Sequence, residues 1–148
     1  MIRYRNKIRE LMISVNVIDG IYEMIAKKIG IKENTLALLY ALDDGKSHSQ
    51  KEICEEWLIP RTTLNTIVKE CVEAGYIFLD TDHRKKEKEV CLTEKGQQYA
   101  SDILRQVYEL EETAMKQTLE NGSEVFIDGL VRFTSNLKNA AGDFTNAK

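Results

Sequence analysis

Residues 59–77 read IPRTTLNTIVKECVEAGYI. Leu64, Ile67, Val68, Cys71 and Val72 recur at spacings of three and four, the period of a helix with one apolar stripe. Arg61, Thr62, Asn65, Thr66 and Lys69 gather on the other face and are polar. Pro60 lacks a backbone N–H and has a preset φ, which suits a helix start. Gly75 suits the stop. The segment predicts a helix over 61–74, anchored on one side and presenting hydrogen-bonding groups on the other.

The flanks place this helix in a larger pattern. In SHSQKEICEEWL (47–58), Ser49 and Glu52 stand three apart, as a capping box requires, and Ile53 and Trp57 share one face. After the central helix, Tyr76 to Leu79 and Glu89 to Thr93 read as two strands. Between them, DTDHRKKEK (80–88) has no apolar residue, so it predicts a solvent-projecting hairpin tip. Upstream, Asn34 is placed to cap a helix carrying Leu36, Leu39 and Leu42, which stops at the turn DDGK (43–46). Before it, Ile8, Leu11, Val15, Ile18, Tyr22, Ile25 and Ile29 form a long seam ending at Gly30. Downstream, Ala100, Ile103, Val107, Leu110 and Ala114 form another stripe, broken by Asn121-Gly122. A last helix from Ser123 carries Phe126, Leu130, Phe133, Leu137 and Ala140, with the tail GDFTNAK (142–148) expected to fray.

The expected fold is therefore mainly α with a small β-hairpin wing. A winged helix-turn-helix over 34–95 lies between long terminal dimerisation helices, 1–33 and 96–148. A lone helix cannot bury its own stripe. The terminal stripes must meet within one chain or meet their copies in a second.

Composition narrows the partners. Hydrophobic residues make up 43% and charged residues 30%, with no run of eighteen apolar residues and no secretion signal, so the expected setting is the cytoplasm and not a membrane. The net charge of −3 is unevenly spread: residues 97–148 hold five Lys/Arg against eight Asp/Glu, whereas residues 1–96 hold sixteen of each. A basic surface fits only before Gly96. Cys54, Cys71 and Cys91 have no metal-ligand spacing and read first as small core residues, with a redox sensor or zinc site as the alternative. No nucleophile–base set, paired-carboxylate cleft or phosphate-cradling glycine loop is present, so neither an enzyme nor a cofactor is expected.

In its order of elements the chain resembles the MarR family of bacterial transcriptional regulators, over about residues 8–140. The resemblance rests on SQKEICEEWLIPRTTLNTIVKECVEAGYI, on Asp82 and Arg84 matching the family's Asp-x-Arg in the wing, and on Leu92-Thr93-Glu94-Lys95-Gly96 matching its L-T-x-x-G. It implies a homodimer joined by the N- and C-terminal helices. It implies sequence-specific binding of double-stranded DNA at a pseudo-palindromic operator. It also implies repression relieved by a small-molecule effector. Two departures stand out. Leu79 occupies the position, four after the glycine, where family members often carry arginine. Residues 1–30 hold no cysteine, so the first-helix peroxide sensor of some members has no residue here.

The expected DNA-binding residues follow. On the central helix, Arg61 can pair with guanine O6 and N7, Asn65 with adenine, and the methyls of Thr62 and Thr66 with thymine; Lys69 extends that face, and Thr63 beside it contacts phosphate or packs. Ser49 and Gln50 open the supporting helix, whose N-terminal N–H groups can hold a phosphate, although simple capping explains Ser49 equally well. Arg84, Lys85 and Lys86 form the wing tip. The competing interpretation is a winged-helix protein-interaction or scaffold module that leaves DNA alone. Leu79 and the negative net charge favour it.

Overall fold

A computed structural model describes residues 3–82, 84 and 86–147. The chain divides after Val107 into two units. The first contains α1 (Arg5–Ile29), α2 (Glu33–Leu42), β1 (His48–Ser49), α3 (Gln50–Trp57), α4 (Arg61–Glu73), β2 (Ile77–Asp80), β3 (Glu89–Leu92) and the first half of α5 (Glu94–Glu120). The second holds the rest of α5 and α6 (Val125–Asn146). The architecture is the expected one: mostly helical, with a small antiparallel sheet and long terminal helices. Among the described residues no helix is long and apolar enough to cross a membrane.

The core of the first unit explains its helix order. Leu38 and Leu42 of α2, Ile53 of α3, Leu64, Ile67, Val68 and Cys71 of α4, Ile77 of β2 and Val90 of β3 form one buried cluster. Helix α2 contributes residues four apart, α4 residues three and four apart, and α3 the single Ile53, so one stripe on α2 and one on α4 close most of the core. Helix α1 ends as expected. Gly30 takes the left-handed conformation (φ 88), its N–H bonds Ala26 O, and Lys27 and Lys28 sit at the negative end of the helix dipole.

Several expectations need correcting. The sheet has three strands, ordered β1-β3-β2, and not two. His48 pairs with Val90 and Ser49 with Glu89, so these two residues before α3 form a short edge strand. Asn34 does not cap α2. Lys32 occupies the cap in extended conformation without a side-chain bond, and the carboxylate of Glu33 sits at the positive first turn instead. Val72 is exposed, on the edge of the α4 stripe. In α5 the buried side chains after Ala100 are Leu104 and Val107; Leu110 is exposed, because it lies beyond the first unit. Helix α6 continues to Asn146, through most of the segment expected to fray.

The turn between α3 and α4 carries local strain. Leu58 is the one non-glycine residue with positive φ (49) among those described, and it is 83% exposed. The left-handed conformation costs an L-residue about 1–2 kcal/mol, and an exposed leucine gains little burial in return. Leu58→Gly should therefore raise stability by about 0.5–1 kcal/mol after glycine's larger backbone entropy is counted. Leu58→Ala should change it little. Urea midpoints of the two variants check this.

Candidate nucleic-acid interface

Helix α4 is held from below and open above. Pro60 provides an extended cap (φ −56, ψ 139), so Arg61 enters the helix at its first turn. Leu64 is fully buried, and Ile67, Val68 and Cys71 are nearly so. Burial pushes the Cys71 thiol above its ordinary range, with the Glu70 carboxylate adding to the effect. That disfavours a reactive thiolate. Arg61, Thr62, Asn65, Thr66 and Lys69 are all exposed, and Thr63 is half-buried between the faces.

The exposed side chains differ in what they have free. Among the described residues none bonds the side chains of Arg61, Asn65 or Lys69, so their donors and acceptors face solvent. Thr66 donates its hydroxyl to Thr62 O at 3.1 Å. A hydroxyl returned to the helix backbone leaves the threonine methyl and an oxygen lone pair for any outside partner. Farther along α4, Glu70 is bound by Lys32 at 3.0 Å, an ion pair that joins the α1–α2 turn to this helix.

Helix α3 supplies a second edge. The capping box is complete: Glu52 N–H donates to Ser49 Oγ at 3.1 Å, and Ser49 N–H to Glu52 Oε2 at 3.4 Å. The Ser49 hydroxyl is thus committed to the helix. Gln50 lies half-buried in the first turn, with Lys51 exposed beside it. Gln50, Lys51, Cys54 and Glu55 of α3, Arg61 of α4, and Leu79, Glu87 and Lys88 of the wing line one cleft of about 540 Å³. The cleft brings Gln50 and Arg61 together. It also adds Lys51 and Lys88, cations that face the same space. Leu79, where family members often carry arginine, packs partly against the core and floors the cleft.

The wing tip is organised by its aspartates. Asp82 N–H donates to Asp80 Oδ1 at 3.1 Å, and Arg84 N–H to Asp82 Oδ1 at 3.1 Å. The Arg84 guanidinium lies 3.4 Å from the same Asp82 oxygen, with its side chain 92% exposed. Asp82 thus pairs with a cation of the wing. Lys86 is exposed. Lys85, and His83 beside it, lie outside the described residues.

The L-T-x-x-G segment, expected only as the end of the module, proves to be a joint. Thr93 Oγ1 donates to Gly75 O at 2.6 Å and accepts from Gly96 N–H at 2.9 Å. Lys95 Nζ donates to Ala74 O at 2.8 Å, at the carbonyl end of α4. Three residues at the start of α5 thereby fix the end of the presented helix. Sequence reasoning also missed His48 and Asp44, which lie 2.9 Å apart. The signal available was their spacing with Glu52, four residues each. Among the described residues no group of three His, Cys, Asp or Glu side chains forms a metal cage.

The sequence matches the model of the MarR family over residues 29–86, from the end of α1 to the wing tip. No curated protein matches it significantly. The backbone is similar to that of NMB1585, a MarR family regulator from Neisseria meningitidis, with 20% identity and a TM-score of 0.79 over 93% of this chain and 97% of that one. It is similar to a putative MarR family transcriptional regulator from Listeria monocytogenes complexed with 26mer DNA, with 23% identity and a TM-score of 0.64 over 92% and 89%. NadR in complex with 4-hydroxyphenylacetate gives 15% identity and a TM-score of 0.67 over 89% and 96%. The MarR family model thus spans α2, α3, α4 and the start of the wing in this order, and the backbone over most of the chain has the fold of the MarR family regulators it resembles.

Proposed function

We propose that the chain is a dimeric, sequence-specific repressor that binds a pseudo-palindromic operator through α4 and is released by a small-molecule effector. The observation that carries the DNA-reading part is the face of α4. Arg61, Asn65 and Lys69 stand unbonded above an anchor of buried residues, at the spacing a helix needs to reach base edges in the major groove. Gln50, Lys51, Arg84, Lys86 and Lys88 flank that face and suit phosphate. Ser49 serves through its cap, which holds the α3 start in place. Thr62, Thr63 and Thr66 add methyl groups and small size, which let the helix approach closely.

Two further supports come from relatives. The Listeria monocytogenes protein was solved with DNA and NadR with a phenolic acid, and this chain shares the fold of both. An effector here would be a small organic molecule of that general kind. Dimerisation draws on α6, where no residue of the protomer is buried although Phe126, Leu130 and Leu137 are apolar. It draws also on α1, which exposes Met12, Val17 and Ile21.

The test begins by selecting bound duplexes from a random pool. Enriched sites should contain inverted half-sites about 34–36 Å apart, one helical turn. Asn65→Ala should lose about 1–3 kcal/mol of discrimination between selected and scrambled sites. Lys86→Ala should weaken both equally and flatten the salt dependence by roughly one unit. Amide-to-base bonds discriminate, whereas an ammonium on phosphate does not. Titration of both duplexes at several salt concentrations separates the outcomes. Leu79 in the wing favours the interaction-module alternative, which predicts no salt-dependent DNA binding in any variant.

A further inference from the structure

His48 sits where three parts of the DNA-facing lobe meet. It belongs to β1, which tethers the wing strand β3, and it immediately precedes Ser49 and Gln50 at the start of α3. Its side chain is only 18% exposed, although the ring is polar on two sides. Nε2 lies 2.9 Å from both carboxylate oxygens of Asp44, in the turn after α2. Nδ1 lies 3.6 Å from Glu52 Oε2, on α3. That same Glu52 oxygen accepts the Ser49 N–H of the capping box.

A neutral imidazole has one N–H and one lone pair. Whichever nitrogen carries the proton, the other turns its lone pair toward a carboxylate. Taking one proton from solvent makes both nitrogens donors, and the imidazolium then attracts Asp44 and Glu52 together. The charged groups at the ring are Asp44, on the turn that also carries Lys46, and Glu52 on α3, whereas Glu89 on β3 pairs with Ser49 and lies on the other side of the strand. Glu89 accepts from Ser47 Oγ at 2.5 Å.

We propose that His48 is a proton-dependent brace that sets the foot of the wing and the start of α3 for DNA. This rests on the DNA-binding reading above. Protonation links the α2 turn, β1 and α3 through one ring and adds a positive charge close to the α3 N-terminus, which itself suits a phosphate. The carboxyl of Asp44 is held below the usual range, first by its hydrogen bond with His48 and next by the Lys46 N–H. Asp44 therefore remains charged when the ring gains its proton. Because linkage is reciprocal, DNA binding draws a proton onto the protein, and affinity rises as pH falls through the imidazole range.

The experiment measures binding of the full-length protein to a mixed-sequence duplex at constant ionic strength, at about pH 8 and about pH 6, across which an imidazole changes charge. The unmodified protein should bind about three- to tenfold more tightly at the lower pH, roughly the weight of one added phosphate-facing charge. His48→Gln should bind equally at both. His83→Gln, which removes the only other histidine, should keep the difference. Glu52→Gln retains a capping side chain and should reduce the difference without abolishing binding, which keeps the test open if His48→Gln folds poorly. Binding without pH dependence in the unmodified protein, or a dependence that survives in His48→Gln, overturns the brace and leaves DNA binding standing. No binding at either pH overturns DNA binding and the brace with it.

Discussion

Gly96→Ala should destabilise the winged module by at least about 3 kcal/mol, the upper range for forcing an extra carbon into a packed site. A Cβ built at Gly96 falls 1.8 Å from Tyr76 O and 2.7 Å from Tyr76 C. Both are backbone atoms, so no rotamer change relieves the contact. Nor can the Tyr76 peptide retreat freely. Its carbonyl accepts the Thr93 N–H at 2.9 Å, and its N–H bonds Cys71 O at 2.9 Å. Its ring lies stacked on Tyr99 at 4.1 Å, with the planes 3° apart. Relief requires α5 to move off the end of α4, which breaks the bonds of Thr93 to Gly75 and of Lys95 to Ala74. Gly129→Ala is the control, because its Cβ would meet nothing and it lies inside α6. There the gain in helix propensity should stabilise by up to about 1 kcal/mol. Urea unfolding midpoints of the two variants should therefore shift in opposite directions.

The contrast between these glycines bears on what the sequence makes legible. Helix α4 can be read directly because its stripe, proline start and glycine stop are local, and its burial in the structure follows that pattern at Leu64, Ile67, Val68 and Cys71. Strand β1 cannot be read this way. It is two residues long, and its partner Val90 is far along the chain, so the pairing exists only in three dimensions. Asn34 is a good cap by type, but a cap also requires the preceding backbone to turn there, and Lys32 turns first. Leu104 and Leu110 are chemically the same residue, but a step of six turns one about 240° from the other around the helix. Leu104 is buried and Leu110 exposed, so where the stripe continues through Leu110 by spacing it is no longer the face that packs. The polar face of α4 was visible in the sequence, yet the commitments of its hydroxyls and its freely available amide and guanidinium became visible only with coordinates. Gly96 appears in the sequence as the end of a motif. The reason for it, a carbonyl oxygen where a methyl would stand, comes from a chain crossing.

On the proposed dimeric reading, Leu130→Glu is expected to give a folded monomer at micromolar concentration and to weaken operator binding by about a hundredfold or more. Phe126, Leu130, Phe133, Leu137 and Phe144 repeat at three, four and seven, so they fall on one side of α6 over most of its 22 residues. None is buried in the protomer, and Phe133 is only half-covered. Extended apolar stripes of this kind are normally covered by a partner. A carboxylate in the middle of the stripe would enter that interface unpaired, at a cost of several kcal/mol. The protomer itself should tolerate the change, because Leu130 is already exposed to solvent before any association. The loss on DNA follows from bivalence: two α4 helices on one operator gain effective concentration worth about 10²–10⁴ in affinity, and a monomer forfeits it. Ser135→Glu adds the same charge on the opposite side of α6 and should leave both assembly and binding unchanged. Sedimentation and operator titration on the same samples distinguish the possibilities. A Leu130→Glu protein that remains dimeric and binds normally would place the dimer contact elsewhere, with the exposed apolar residues of α1, Met12, Val17 and Ile21, next to be substituted.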